Sequence, residues 1–257
     1  MLAVSAVRAG HIPDGYALVD ATWVMPGREA PLDAFLAGTR HSIDTDTIKL
    51  MEPSERAAGS AVAFGAAGLD GQSPVAIYDR AGLFSAPWIW WLLRSNGCDA
   101  VLVEGWSTTQ DKPDFAEATD FHPSQDPARL NATKADILGA LKTGAQILDA
   151  RPASRFTGEA PEPRPDCRSG HIPGSLNIPF GTLKADRHFQ DRERLEEVFR
   201  RKGVDLAKPI ITSCGSGVTA SGLAFALTRC GAKDVRVYQG SWAEWGMDAD
   251  CPVETGP

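Results

Sequence analysis

Short apolar runs alternate with amphipathic stretches along this chain, and the same order of pieces occurs twice. Each half contains an apolar run that ends in an aspartate, at residues 18–20 and again at residues 147–149. Each half then continues with a second apolar run, a glycine-containing loop, an amphipathic stretch and a third apolar run. Strands that alternate with helices in this way are typical of parallel sheets flanked by helices. The pattern predicts an α/β fold.

The two halves also match residue by residue. Residues 77–105 superpose without gaps on residues 212–240, and this pairing places Arg94 on Arg229. The further strands are predicted at 75–78, 100–103, 209–212 and 235–238, and the helices at 85–95 and 218–230. The repetition predicts two tandem domains of the same architecture, each a parallel sheet flanked by helices.

A polar, proline-containing stretch separates the two copies. Residues 106–131 have weak periodicity and are interpreted as a linker. Thr133 followed by Asp136 and an apolar-periodic run is typical of a capped helix start. We therefore expect a first domain over residues 1–122 and a second over residues 123–257.

Composition and charge restrict the function classes. The chain has 257 residues, 43% of them hydrophobic, and its net charge of -7 argues against nucleic acid or an anionic membrane as a partner. The strongly apolar stretch from Pro87 to Leu93 is too short to span a bilayer, and the N-terminus lacks the pattern of a signal peptide. The cysteines, at positions 98, 167, 214, 230 and 251, are odd in number and have no zinc-type spacing. A reducing cytoplasm with free thiols, and no metal or organic cofactor, is expected.

One cysteine lies where α/β proteins bind ligands. Cys214 follows a predicted strand and opens the loop that leads into the helix at 218–230. Backbone N–H groups of such a loop and of the helix N-terminus stabilise a thiolate. Gly215 and Gly217 let the backbone curl so that several N–H groups point at one sulfur. The alternative, a buried inert thiol, is a frequent fate for cysteine. We interpret Cys214 as a nucleophile.

Five segments of the sequence resemble those of a known family. The matching segments are LVDATW (18–23), GLFSAP (82–87), GHIPGSLNIPF (170–180), CGSGVTA (214–220) and GSWAEWG (240–246). They resemble 3-mercaptopyruvate sulfurtransferases, a branch of the rhodanese superfamily, over nearly the whole chain. The resemblance implies tandem rhodanese-like domains of which only the second is catalytic, and Asp79 stands where the first copy would need its cysteine. It implies that Cys214 attacks the sulfur of the donor, carries it as a persulfide and passes it to a thiol or cyanide.

The loop composition distinguishes between relatives. Thiosulfate-cyanide rhodaneses carry basic side chains directly after the cysteine, whereas Gly215 and Ser216 are neutral. We therefore expect 3-mercaptopyruvate as donor, with Ser216 acting as a proton donor or hydrogen-bonding group. Gly215, Gly217, Val218 and Thr219 are expected to line the substrate site.

The resemblance also implies residues outside the loop. Two arginines nine residues apart hold the keto acid in the family, and Arg155 and Arg164 match them. The family's first domain contributes an aspartate, matched by Asp44 with Asp46 as a rival. Its histidine has no counterpart here, because the segment is shortened around Lys49. This absence argues against a serine–histidine–aspartate relay.

Four further features receive structural interpretations. Asp149 and Arg151 are expected to organise the loop that follows their strand. His171, before Ile-Pro-Gly in a turn, is interpreted as a structural hydrogen-bonding group. The tryptophans at 88, 90 and 91 are expected in a core or domain interface, and those at 242 and 245 near the active-site end.

Three other functions compete with a mercaptopyruvate enzyme. A phosphatase with the same loop would need an arginine six positions after the cysteine, but position 220 is alanine. A thiosulfate sulfurtransferase is disfavoured by the neutral loop, and a non-enzymatic persulfide carrier would need only the reactive cysteine. The expected partners are a small-molecule sulfur donor and a thiol acceptor such as thioredoxin or a small thiol.

Overall fold

The chain forms two compact units in the computed structural model, which describes residues 6–25, 34–105 and 109–257. The first unit comprises Met1–Ala128 together with Asp186–His188, and the second comprises Arg129–Ala185 and Phe189–Pro257. The start of the predicted linker, residues 106–108, lies outside the described residues. Most of the expected strands and helices are found within one residue of their predicted bounds.

The first unit alternates strands with helices. Its elements are β1 (Ala6–Arg8), β2 (Ala17–Asp20), β3 (Phe35–Leu36), β4 (His41–Ser42), α1 (Thr45–Leu50), α2 (Arg56–Ala66), β5 (Val75–Tyr78), α3 (Ala86–Ser95), β6 (Ala100–Glu104) and β7 (Thr109–Gln110). Every residue of β5 and β6 is buried, as expected for strands covered by helices on both faces. Trp88, Trp90 and Trp91 on α3 are also buried, as expected for residues of a core or domain interface.

The second unit repeats this plan with additional short elements. They are β8 (Asn131–Ala132), α4 (Lys134–Thr143), β9 (Gln146–Asp149), α5 (Ala153–Phe156), β10 (Leu176–Asn177), β11 (Lys184–Ala185), β12 (His188–Phe189), α6 (Arg192–Arg201), β13 (Ile210–Ser213), α7 (Val218–Arg229), β14 (Val235–Tyr238) and α8 (Ser241–Trp245). Of these, only β12 begins with a residue, His188, that is assigned to the first unit. Short 3-10 turns occupy Pro127–Arg129 and Phe180–Leu183. Helix α4 begins with the predicted capping box, in which Thr133 and Asp136 bind each other's backbone N–H groups.

The main sheets of the two units have the same strand order. In the first unit the order is β1-β6-β5-β2-β4, and in the second it is β8-β14-β13-β9-β10. All the strand pairs within both sheets are parallel. The correspondence confirms the fold class predicted from the repeated pattern.

Strand β13 lies at the centre of the second sheet, between β9 and β14. Three carboxyl ends therefore lie side by side: Asp149 at the end of β9, Ser213 at the end of β13 and Tyr238 at the end of β14. Loops that follow adjacent parallel strands meet at one edge of the sheet, which is the usual position of a ligand site. No helix among the described residues is long and apolar enough to cross a membrane.

Candidate active site

The loop between β13 and α7 wraps around the sulfur of Cys214. The backbone N–H groups of Ser216 and Gly217 donate to Sγ, with N···S distances of 3.5 and 3.2 Å. Gly217 has a φ of +90°, in the left-handed region that favours glycine, and a Cβ there would lie 2.9 Å from the carbonyl oxygen of Gln239. Glycine at 217 therefore allows the backbone to curl towards the sulfur, as predicted.

The sulfur lies at the floor of this loop. Only 2% of the surface of Cys214 is exposed, whereas Gly215 and Ser216 are partly exposed. In the first turn of α7, Val218 is buried and Thr219 is partly exposed. The positive end of the dipole of α7 and the two N–H donors favour negative charge on the sulfur.

Helix α8, which follows the neighbouring strand β14, holds the cysteine loop through hydrogen bonds. The N–H groups of Trp242 and Ala243 donate to the carbonyl oxygens of Cys214 and Gly215, both at 2.9 Å. The N–H of Cys214 in turn donates to the Oγ of Ser241 at 3.1 Å. Sequence reasoning missed Ser241, although the GSWAEWG segment that contains it directly follows the strand beside β13.

Arg155 approaches the cysteine loop from β9. It lies on the short helix α5, and a Cβ at Gly215 would lie 3.1 Å from its Nη2 atom. Glu162 accepts two hydrogen bonds from the guanidinium, one from Nε at 3.0 Å and a second from Nη2. The side chain of Arg155 is 22% exposed, whereas that of Glu162 is 2% exposed. The structure thus brings Arg155 together with the cysteine loop.

Glu162 is shared between two arginines, and sequence reasoning missed its role. Its Oε1 lies 2.9 Å from Nη1 of Arg151, which is itself paired with Asp149 at 2.7 Å. Burial lowers the pKa of Arg151, but the charges of Asp149 and Glu162 outweigh this and raise it. The guanidinium also lies 4.4 Å from the ring centroid of Trp242. Asp149 and Arg151 therefore organise the loop, as expected.

Arg164 is exposed and lies two residues beyond Glu162. Its charge reaches Cys167, whose pKa is raised by burial and by Glu162, while Arg164, Arg151 and Arg155 act in the opposite direction. Arg164 and Arg155 therefore both lower the pKa of Cys167, against the effect of burial. Its role towards a substrate remains a prediction.

Asp44 belongs to the first unit and caps α1. Its Oδ1 accepts from the N–H groups of Asp46 and Thr47, both at 3.1 Å, and its Oδ2 accepts from the Thr47 hydroxyl at 2.6 Å. These hydrogen bonds lower the pKa of Asp44. The rival, Asp46, accepts from Nε1 of Trp23 at 2.9 Å. The catalytic role suggested for Asp44 remains a prediction.

The corresponding loop of the first unit is organised around Asp79. Its Oδ1 accepts from the N–H groups of Ala81 and Leu83, both at 2.9 Å. Its Oδ2 accepts from those of Ser85 at 2.8 Å and Ala86 at 2.7 Å. The first copy therefore keeps an anion-binding loop after β5 and fills it with a carboxylate of the chain itself.

His171 has the surroundings of a structural residue. Only 4% of it is exposed, its Nδ1 lies 2.9 Å from the carbonyl oxygen of Phe156, and its ring stacks on Phe156 at 3.8 Å between centroids. These contacts confirm the interpretation of His171 as a structural hydrogen-bonding group.

A tandem α/β repeat with one cysteine in an N–H-lined loop defines the class as a two-domain rhodanese-type protein. The rhodanese-like domain model matches residues 133–248. The 3-mercaptopyruvate sulfurtransferase of Escherichia coli is 34% identical over 267 residues, covering 96% of this chain and 95% of the relative. The thiosulfate sulfurtransferase of Gallus gallus is 35% identical, covering 93% and 89%.

Structural comparison gives the same assignment. The crystal structure of SseA, a 3-mercaptopyruvate sulfotransferase from Escherichia coli, superposes with a TM-score of 0.74 at 29% identity, covering 89% of this chain and 93% of that one. The chain belongs to the 3-mercaptopyruvate sulfurtransferase family of the rhodanese superfamily. It is a transferase that moves sulfur from a donor to an acceptor.

Proposed function

We propose that this protein takes sulfur from 3-mercaptopyruvate onto Cys214 and passes it to a thiol. The Cys214 thiolate attacks the substrate sulfur, so that an S–S bond forms and the C–S bond breaks. The electron pair of the broken bond leaves as the enolate of pyruvate, which takes up the proton of the substrate thiol. A thiolate acceptor then attacks the outer sulfur of the persulfide and releases the Cys214 thiolate.

The observation that carries this proposal is the pair of N–H groups of Ser216 and Gly217 directed at Cys214 Sγ. They stabilise negative charge both on the attacking thiolate and on the persulfide that replaces it. Arg155, held against Gly215 by Glu162, supplies a cation for the carboxylate of the keto acid. Arg164 is proposed as the second cation, Ser216 as a hydrogen-bonding group to the reacting sulfur or adjacent carbonyl, and Asp44 as a further catalytic residue.

The test compares wild-type protein with Cys214→Ser and with Cys230→Ser. Cys230 is another buried free cysteine, at the end of α7, and serves as the matched control. We expect wild type and Cys230→Ser to release pyruvate from mercaptopyruvate and to gain one sulfur atom by intact-mass measurement. Cys214→Ser should do neither while remaining folded. Wild-type turnover by Cys214→Ser would contradict the proposal.

Thiosulfate is the second candidate donor, because the thiosulfate sulfurtransferase of Gallus gallus is as similar as the mercaptopyruvate enzymes. Gly215 and Ser216 are neutral, so neither position provides a positively charged side chain to bind a dianion such as thiosulfate. Parallel assays with both donors should give the larger kcat/KM for mercaptopyruvate, and the reverse order would select thiosulfate.

The acceptor is proposed to be a thiol, either a protein such as thioredoxin or a small thiol. All five cysteines are free, as is usual in the reducing cytoplasm, which is the proposed location. Comparing thioredoxin with a small thiol at equal thiol concentration would identify the better acceptor.

A further inference from the structure

Ser241 is a buried polar residue with an unusual backbone conformation beside the reactive cysteine. It is the first residue of α8, three positions after the last residue of β14, and none of its surface is exposed. Its φ is +50°, in the left-handed region that few residues other than glycine adopt. Such a conformation has an energetic cost and persists where the surrounding structure enforces it, often at functional sites. Glycine would adopt this conformation more readily, so the backbone alone does not explain a serine at position 241.

The hydroxyl of Ser241 makes three contacts around Cys214. Its Oγ accepts the hydrogen bond from the N–H of Cys214 at 3.1 Å and donates to the carbonyl oxygen of Tyr238 at 2.7 Å. The same Oγ lies 4.0 Å from Cys214 Sγ. A hydroxyl carries one proton, so the carbonyl of Tyr238 and the sulfur are alternative acceptors for it.

The charge on the sulfur decides between these two acceptors. A neutral thiol is a weak acceptor, and the short bond to the Tyr238 carbonyl is then preferred. An anionic thiolate or persulfide is a stronger acceptor, because hydrogen bonds to ionised groups are roughly twice as strong as neutral ones. Rotation of the hydroxyl about the Cβ–Oγ bond suffices for the change, and no proton leaves the oxygen.

We propose that Ser241 is a positioning residue for the reactive sulfur of Cys214. Its oxygen fixes the backbone at the start of the cysteine loop, and its hydroxyl gives the anionic sulfur a third donor beside the N–H groups of Ser216 and Gly217. The relevance of Ser241 to sulfur transfer rests on the proposed function. The hydrogen bonds themselves concern the thiolate, with or without a sulfur donor.

The chain provides a matched control at Ser175. This serine is also buried, and its hydroxyl donates to the carbonyl three residues earlier, that of Ile172, at 2.6 Å. The bond has the same sequence spacing as the bond from Ser241 to Tyr238, but it is made in the turn before β10. Ser175→Ala therefore removes an equivalent buried bond at a different place.

The experiment measures alkylation of Cys214 by iodoacetamide as a function of pH, read from the Cys214 peptide by mass spectrometry. The proteins are wild type, Ser241→Ala, Ser241→Gly and Ser175→Ala, and their melting temperatures are recorded. Ser241→Gly loses the hydroxyl but adopts a positive φ readily, so it tests the hydroxyl even where alanine at 241 fails to fold.

We expect the pH midpoint of alkylation in both Ser241 variants to rise by about one unit, equivalent to a roughly tenfold loss of thiolate stabilisation. Ser175→Ala should keep the wild-type midpoint. A folded Ser241→Gly with the wild-type midpoint would overturn the inference, and so would an equal shift in Ser175→Ala. Failure of wild type to form a persulfide from mercaptopyruvate would instead contradict the proposed function, since the alkylation profile needs no sulfur donor.

Discussion

The guanidinium of Arg155 lies against Gly215, so that a Cβ at position 215 would come within 3.1 Å of Nη2. The neighbouring atom is the end of a flexible side chain, and Gly215 does not have a positive φ. We therefore expect Gly215→Ala to displace Arg155 slightly while leaving the backbone in place. The KM for mercaptopyruvate should rise several-fold, on the order of 3 to 10, because small misplacements of a binding group are costly. Steady-state kinetics measure this directly.

Two other glycines provide the controls for that variant. Gly217→Ala forces a β-carbon to within 2.9 Å of a carbonyl oxygen at a φ of +90°, so both stability and activity should fall, by about 1–3 kcal/mol for the strain alone. Gly139→Ala, on α4 with open space around it, should be neutral or stabilise by up to about 1 kcal/mol. A large loss of stability in Gly215→Ala would show that the added methyl group disturbs more of the structure than the contact with Arg155.

The arginines give a second prediction, about substrate affinity. Arg155→Ala and Arg164→Ala should mainly raise the KM for mercaptopyruvate, because each removes a cation proposed to bind the carboxylate. Arg192→Ala, on the exposed start of α6, is the control. Unchanged saturation curves for Arg155→Ala and Arg164→Ala would remove both residues from the site.

Glu162 connects Arg155 to Arg151 and gives a third prediction. Its carboxylate is buried and paired with both guanidinium groups. Glu162→Gln removes the charge but keeps the size, so the buried Arg151 and the partly exposed Arg155 both lose a charged partner, and stability should fall by roughly 3 kcal/mol. Denaturant unfolding measures this loss, and the KM should rise with it since Arg155 is no longer held. A variant with wild-type stability and KM would show that Glu162 has no such role.

The repeated apolar pattern was sufficient to predict both sheets, because each buried strand and each helix has its own local periodicity. The cysteine loop was predictable for a similar reason: a strand, two glycines and a helix start follow one another within one short segment. Ser241 was not predictable in this way, since it meets Cys214 only because β13 and β14 are neighbours in the sheet. Glu162 lies in a proline-rich segment without periodicity, and its partners are known only once that segment is folded.

The carboxylate of Asp79 gives a fourth prediction, about the first unit. It accepts four backbone N–H groups, three of them in buried hydrogen bonds, and Asp79→Ala would leave these donors without their partner. We expect a loss of about 2 kcal/mol or more in the stability of the first unit. Native-state hydrogen exchange is the suitable measurement, because it resolves the two units separately.

Asp70 supplies the control for Asp79. It also accepts backbone N–H groups, those of Gln72 and Ser73, but in an exposed turn of the same unit where water can replace it. Asp70→Ala should therefore cost clearly less than Asp79→Ala. Equal costs would mean that burial of the Asp79 loop contributes little.

The capping box of α4 gives a fifth prediction, about pH. Burial raises the pKa of Asp136, but the hydrogen bonds from Thr133 and the pairing with Arg236 outweigh it and lower the pKa to about 2. A folded pKa below the ordinary value of 3.8 means that ionised Asp136 stabilises the fold above that pH. This stabilisation is lost as the pH falls from about 4 towards about 2, because the folded state then binds the proton as well.

The measurement compares wild type with Asp136→Asn in denaturant unfolding at about pH 6 and at about pH 3. Asparagine keeps a side-chain acceptor for the cap but loses the charge that pairs with Arg236 at 2.9 Å. The difference in unfolding midpoint should therefore be present at the higher pH and shrink at the lower. Thr133→Ala removes the hydroxyl that caps the helix, so part of its destabilisation should persist at both pH values. A difference between wild type and Asp136→Asn that stays constant with pH would show that the charge of Asp136 does not stabilise this helix.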